Sequence, residues 1–181
     1  MEPLGVRHLN ITKKMADILS DVFLRNSLLK EVECVIRVYM ISGAQFASRD
    51  SGSESDPYLI LSVGDKVFNE RDNYVLDNAN PGFYKHFDFT GYLPGCPQLQ
   101  IHAMDYDDLF GDDLIGETVI DLEDRYFSAD WNIITHKPIE QRKLYHPSYE
   151  KDQGVVRLWV EILPTNQDLS TFQDYDITEK P

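Results

Sequence analysis

The chain has 181 residues, of which 42% are hydrophobic and 12% aromatic, a composition typical of a globular domain with room for a substantial core. Its formal net charge is −14, from 31 acidic and 17 basic residues. This charge argues against a nucleic-acid-binding protein, which needs a basic face. It also argues against permanent electrostatic docking on an anionic membrane.

The two cysteines, Cys34 and Cys96, show no metal-ligand spacing and are too few for a disulfide framework. They indicate a reducing, cytosolic setting. The N-terminus lacks the pattern of a signal peptide, and no apolar run approaches the roughly 18–20 residues that cross a bilayer. We therefore expect a cytosolic domain without a membrane anchor of its own.

Residues 1–30 are predicted to form an N-terminal extension with one amphipathic helix. After a candidate N-cap at Thr12, apolar side chains recur at the spacing of one helix face, at Met15, Ile18, Leu19, Val22 and Phe23. This stripe needs burial against the domain itself or against a partner. A membrane-surface helix would carry more lysine and arginine on its polar face.

From residue 31 to residue 164 the pattern changes to the two-residue period of β-strands, first at Cys34, Ile36 and Val38. Further strands are predicted at 58–63, 66–75, 84–89, 99–103, 115–122, 139–144 and 155–162, with an irregular or helical excursion at 123–138. Short strands with only peripheral helix predict an all-β fold, an eight-stranded antiparallel β-sandwich. Residues 165–181 are polar and predict a linker or tail.

Two acidic segments interrupt the strand pattern, one from Asp50 to Asp56 and one from Asp105 to Asp113. Two like charges about 4 Å apart repel by roughly 1 kcal/mol in water and roughly 4 kcal/mol at an effective dielectric near 20, so a fold that gathers these carboxylates favours a cation. Oxygen ligands without cysteine or histidine suit calcium. The sequence thus predicts a calcium site made of two loops, with a plain solvated acidic surface as the alternative.

The spacing of the acidic residues is specific. Asp50 precedes the Asp56-Pro57-Tyr58 turn by six residues, and Asp105-x-Asp107 is followed by Asp113-Leu114-Ile115-Gly116. This pattern resembles the calcium-binding C2 domain, and Asn80-Pro81-Gly82-Phe83 resembles the middle loop of that family. The resemblance implies two or three calcium ions shared by the five aspartates, which are Asp50, Asp56, Asp105, Asp107 and Asp113.

The same resemblance implies roles for four further residues. Backbone carbonyls of Arg49 and Tyr106 would be weaker calcium ligands. Leu109 and Phe110 would form the tip of the third loop and contact the membrane. Asp108 and Asp112, in the same stretch, receive no role from the sequence.

Three other segments, Glu70–Tyr74, Ile115–Arg125 and Leu158–Pro164, look like a C2 domain from the C-terminal half of a ferlin. A last strand after Gly154 fits the permuted, type II topology of that family. The resemblance implies a calcium-dependent phospholipid-binding module of a membrane-fusion protein active in vesicle trafficking and exocytosis. Its partners would be anionic membranes at their cytoplasmic face and, beyond lipid, fusion-machinery proteins or neighbouring C2 domains, with the parent protein anchored by a segment outside this chain.

Other classes fit less well. An EF-hand fails because position 6 from Asp105 is Phe110 and position 12 is Gly116. An enzyme is not predicted, since the aspartates fall on loops without a Ser/His or Cys/His set. The remaining alternative is a protein-interaction C2 module with weak or no calcium dependence.

Overall fold

The computed structural model describes residues 30–49, 52–109 and 111–172, and over these ranges the chain forms two antiparallel sheets packed face to face. In chain order the strands are β1 (Val32–Ala44), β2 (Pro57–Val63), β3 (Lys66–Asn69), β4 (Gly82–Leu93), β5 (Leu99–Asp105), β6 (Asp113–Ile120), β7 (Glu140–Lys143) and β8 (Val155–Pro164). One sheet has the order β4-β1-β8-β7 and the other β3-β2-β5-β6. The predicted eight-stranded antiparallel β-sandwich is confirmed. The C-terminal strand β8 pairs with β1, as the permuted topology requires.

The core lies between the sheets and follows from the two-residue alternation of the strands. In β1, Ile36, Val38 and Met40 have no exposed surface, and Leu61 and Ile101 of the other sheet are equally buried. Burying one such side chain contributes about 1.5–3 kcal/mol. The alternation that marked the strands in the sequence is therefore also what holds the two sheets together.

The strand predicted at 66–75 is wrong in its second half. β3 ends at Asn69, and Arg71–Asn73 form a short 3₁₀ helix. The physical reason is that Glu70 to Asn73 are all polar and offer no apolar face to the core. Residues 70–81, between β3 and β4, are called the β3–β4 connector below.

Two short helices form at the excursion predicted over 123–138: α1 (Leu122–Tyr126), which begins one residue before the predicted range, and α2 (Ala129–Ile133). Both begin at a polar N-cap: the side chains of Asp121 and Ser128 accept hydrogen bonds from backbone N–H groups of the first turn. α1 follows the end of β6 that is distant from the acidic loops. The excursion therefore leaves the acidic end of the sandwich uncovered.

The predicted N-terminal helix with its stripe from Met15 to Phe23 lies outside the described residues. Residues 165–172, at the start of the predicted tail, include a 3₁₀ helix at Leu169–Thr171, and Phe172 is buried beneath the guanidinium of Arg37. Among the helices of the described ranges, none is long and apolar enough to cross a membrane.

Candidate metal site

The register of the second sheet places three acidic positions side by side. Pro57 at the start of β2 pairs with Asp105 at the end of β5, and Asp105 pairs with Asp113 at the start of β6. Paired residues in antiparallel strands have Cα atoms roughly 4.5–5.5 Å apart. Because Asp56 immediately precedes Pro57, the backbones of Asp56, Asp105 and Asp113 meet at one end of the sandwich.

Hydrogen bonds join the first loop (residues 45–56, between β1 and β2) to the third loop (residues 106–112, between β5 and β6) at this point. The backbone N–H of Asp56 donates to Oδ1 of Asp105 at 2.6 Å. The N–H of Tyr106 donates in turn to the carbonyl of Asp56 at 3.1 Å. Asp105 is 3% exposed, and a carboxylate so deeply buried needs such donors because its desolvation is costly. Asp105 therefore forms the base of the site, with Asp113 exposed at its rim.

Asp107 shapes the tip of the third loop. Its Oδ1 accepts a hydrogen bond from the backbone N–H of Leu109 at 2.6 Å. This is an Asx-turn, in which an aspartate side chain bonds to the backbone two residues further along the chain. This turn leaves the Leu109 side chain 82% exposed. The hydroxyl of Tyr106 donates to the carboxylate of Asp108, so Asp108 has a local partner two residues away in the same loop.

Two of the predicted site residues, Asp50 and Phe110, lie outside the described residues. Over the part of the chain that is described, no three acidic, histidine or cysteine side chains are close enough together to form a ready-made metal site. The donors that the two loops do bring to one end of the sandwich, at Asp56, Asp105, Asp107 and Asp113, are all carboxylates. Hard oxygen donors on separate loops fit calcium, which accepts flexible geometry.

Arg49 has a structural role that the sequence did not reveal. Its guanidinium donates to the carbonyls of Leu114 and Ile115, at 3.0 and 2.5 Å, and to Oε1 of Gln153 at 2.8 Å. Ile115 is the extra residue of a bulge in the β5–β6 pair. Bulges leave polar backbone groups without partners in the neighbouring strand, and Arg49 supplies donors to the carbonyls of this bulge. The Arg49 side chain therefore connects the first loop to the bulge beside the third loop.

Asp112 is held by a cluster of polar side chains. Arg71 donates to both of its carboxylate oxygens, at 2.6 and 2.9 Å, and the hydroxyl of Tyr58 donates to Oδ2 at 2.7 Å. The N–H of Asp107 donates to Oδ1 at 3.0 Å. Arg71 and the other donors hold the pKa of Asp112 well below its usual range. Arg71 lies 41 residues from Asp112 in sequence, so residue spacing could not have predicted that the two side chains pair.

Aromatic rings support the same cluster from the side. The guanidinium of Arg71 lies 4.2 Å from the ring centroid of Tyr106, and Tyr106 stacks on Tyr74 with centroids 4.1 Å apart. Stacking of this kind orients a guanidinium without consuming its N–H donors. Arg71 can therefore contact the Tyr106 ring and both oxygens of Asp112 at once.

Comparisons with known proteins define the class. A model of the C2 domain family matches residues 34–139, and the chain belongs to this family. The fold agrees with solved C2 structures: a C2 domain of plant extended synaptotagmin 1 aligns with a TM-score of 0.59 at 14% identity, covering 74% of this chain and 96% of that one. A calcium-bound structure of two C2 domains of extended synaptotagmin 2 aligns with a TM-score of 0.58 at 25% identity, covering 72% of this chain and 45% of that one.

The relatives in sequence are ferlins, which confirms the predicted resemblance to that branch. Myoferlin from Mus musculus is 38% identical over 96 residues, which make up 53% of this chain and 5% of myoferlin. Fer-1-like protein 4 from Mus musculus is 33% identical over 99 residues, 55% of this chain and 5% of that protein. The chain thus spans about one twentieth of the length of these relatives. C2 domains of this kind commonly bind phospholipid membranes.

Proposed function

We propose that this chain is a calcium-dependent phospholipid-binding module, with calcium held between the first and third loops. The observation that carries the proposal is the register of β2, β5 and β6, which sets Asp56, Asp105 and Asp113 side by side beneath the third loop. The ligands would be the carboxylates of these three residues with those of Asp50 and Asp107. Backbone carbonyls of Arg49 and Tyr106 would complete the shells.

Charge explains why calcium would control membrane contact. The chain carries a formal net charge of −14, and its acidic loops would repel anionic lipid. Two calcium ions bring +4 and three bring +6 against the five aspartates of the site. When bound, calcium would offer open coordination positions to lipid phosphate oxygens. The exposed Leu109, with Phe110, would enter the headgroup region beside that contact.

The cellular role is proposed from the relatives. Ferlins supply the sequence similarity, and an extended synaptotagmin structure with 25% identity is described as calcium bound. We infer that the module serves a larger protein of membrane fusion, vesicle trafficking or exocytosis at the cytoplasmic face of a membrane. Further partners would be fusion-machinery proteins or neighbouring C2 domains.

The test is calcium titration by calorimetry, followed by sedimentation with liposomes that contain phosphatidylserine. The chain is expected to bind calcium saturably and to sediment only with calcium present. Asp105→Ala/Asp107→Ala should lose both signals, because it removes the base of the site and the turn of the third loop. Asp124→Ala/Asp130→Ala is a matched control, since it removes the same charge from exposed positions of α1 and α2.

Absence of calcium heat at millimolar concentration would reject the metal site. Full calcium binding by Asp105→Ala/Asp107→Ala would show that the ligands are misassigned. Calcium binding without liposome sedimentation would reject the membrane function alone.

A second candidate function is a protein-interaction module with weak or no calcium dependence. The observation in its favour is the apolar surface of the excursion, where Ile133 is 80% and Ile134 38% exposed. Single exposed apolar residues are ordinary, whereas several on one segment suit a protein partner. Calorimetry and sedimentation separate the two candidates, because this one predicts weak or no calcium heat and no effect of calcium on liposome binding.

A further inference from the structure

The β3–β4 connector contacts both acidic loops. Towards the first loop, the N–H of Asp77 donates to Oδ1 of Asp56 at 2.7 Å, and Oδ1 of Asp77 accepts the N–H of Glu54 at 2.8 Å. Towards the third loop, Arg71 reaches Asp112 and the carbonyl of Asp107. One segment without proposed calcium ligands of its own therefore braces both halves of the proposed site.

We propose that Arg71, Asp112 and Tyr58 form a clamp that positions the third loop for cation binding. In this inference, which rests on the proposed calcium function, Asp112 is a positioning residue and not a ligand. Arg71 and Tyr58 serve to hold it.

The hydrogen bonding of Asp112 supports this assignment. Its Oδ2 accepts from Tyr58 and from Nε of Arg71, and its Oδ1 accepts from Nη2 of Arg71 and from the N–H of Asp107. Both oxygens thus have two donors each, and the side chain is 13% exposed. A carboxylate with both oxygens already engaged by cationic and neutral donors is a poor calcium ligand, because binding would require breaking strong charge-assisted bonds.

The clamp fixes the backbone of Asp107 from both sides. Oδ1 of Asp112 accepts the N–H of Asp107 at 3.0 Å, and Nη2 of Arg71 donates to the carbonyl of Asp107 at 3.2 Å. Asp113, another proposed ligand, follows Asp112 directly in the chain. Two proposed ligands are therefore held in place by the same pair of side chains. Outer-shell contacts that hold metal ligands typically change metal affinity by about 10- to 100-fold when they are removed.

A purely electrostatic role makes a different prediction. Arg71 is a positive charge near the proposed cation site, so on charge alone its removal should strengthen calcium binding and removal of Asp112 should weaken it. The clamp predicts that both changes weaken binding. Tyr58→Phe removes one neutral donor without altering any charge, and the clamp predicts weaker binding there too. The signs of the changes therefore separate the two explanations.

The experiment is calcium calorimetry on the full chain and on Arg71→Ala, Arg71→Lys, Asp112→Asn and Tyr58→Phe. Arg71→Ala and Asp112→Asn are expected to weaken calcium binding by about 10- to 100-fold. Arg71→Lys keeps the charge but cannot span both oxygens, so it should fall between wild type and Arg71→Ala. The matched control is Arg37→Ala, which removes an arginine bound to both oxygens of Asp88, at 2.7 and 2.8 Å, on the other sheet.

Two further measurements test whether the variants are folded and whether the third loop is held in place without calcium. Urea unfolding in EDTA should show that each variant is folded. Hydrogen exchange of the Asp107 and Leu109 amides, without calcium, should be faster in Arg71→Ala than in wild type.

Unchanged or tighter calcium binding by Arg71→Ala, or by Arg71→Lys if the alanine variant does not fold, would overturn the clamp and leave the proposed function standing. Equal weakening in Arg37→Ala would also overturn it, since the effect would not be local. Absence of calcium binding by the wild-type chain would instead overturn the proposed function, and the clamp as a calcium device with it.

Discussion

Cys34 lies inside the sandwich with no exposed surface, and its thiol donates weakly to the carbonyl of Val32 at 3.5 Å. Burial raises the pKa of this thiol from an ordinary 9.0 to about 11. Since the thiolate is the reactive form, its fraction near pH 8 should be about 100-fold lower than for an ordinary cysteine. We expect Cys34 in the native protein to react slowly with a chromogenic disulfide reagent.

The measurement uses Cys96→Ser, which leaves Cys34 as the single thiol, with and without urea. Reaction should be slow in buffer, fast in urea, and faster at higher pH because the raised pKa is then approached. Rapid reaction of native Cys96→Ser at pH 8 would contradict the burial of Cys34.

At the same scale, the five aspartates from Asp105 to Asp113 show how much of the candidate site could be predicted from the sequence. Their spacing indicated a cation site and a pair of loops, because spacing along strands and turns is a local property. It could not separate Asp112 from its neighbours, because the difference lies in Arg71 and Tyr58, which reach Asp112 across the fold. Side-chain partners of this kind depend on packing and leave no periodic signal.

At the scale of elements, the start of β8 depends on Gly154. Its φ is +125°, and a Cβ at this position would lie 2.8 Å from the carbonyl oxygen of Gln45 and 3.0 Å from that of Ala44. Backbone atoms cannot withdraw cheaply, so Gly154→Ala is expected to lower the free energy of unfolding by roughly 2–4 kcal/mol. Urea unfolding followed by tryptophan fluorescence measures this loss.

Gly95→Ala is the matched control. Gly95 also has a positive φ, of +105°, but nothing lies within 4 Å of the position of its Cβ. The Gly95→Ala substitution should therefore lower the free energy of unfolding only by the cost of backbone strain. A loss of stability in Gly154→Ala no greater than in Gly95→Ala would contradict the close packing between the start of β8 and the end of β1.

Strands were predictable where apolar and polar side chains alternate. Segments whose conformation is set by polar contacts were harder to predict. β8 was predicted over 155–162 and runs from Val155 to Pro164, where it ends because proline cannot donate to the sheet. The predicted strand at 66–75 was too long. The β3–β4 connector is held by hydrogen bonds to the acidic loops and has no alternating apolar side chains. The helices α1 and α2 follow caps at Asp121 and Ser128, which a search for apolar periodicity overlooks.

At the scale of the whole molecule, the two ends of the sandwich differ in chemistry. One end carries the acidic loops with Leu109 at the third-loop tip, and the other carries the excursion with its exposed Ile133. A module bound through the first end would leave the second free for a neighbouring domain. This arrangement lets lipid and protein contacts be tested with separate substitutions.

The last prediction concerns membrane insertion under the proposed function. Leu109 is 82% exposed, and burying a leucine or phenylalanine side chain contributes about 1.5–3 kcal/mol. Leu109→Ala/Phe110→Ala should therefore weaken calcium-dependent binding to phosphatidylserine liposomes by about 10-fold or more while calcium binding in solution stays unchanged. Ile133→Ala, which removes an 80% exposed side chain at the opposite end, should bind liposomes as wild type does. Equal liposome affinity of the loop variant and wild type would reject insertion of the third-loop tip and leave phosphate contact through calcium as the sole means of docking.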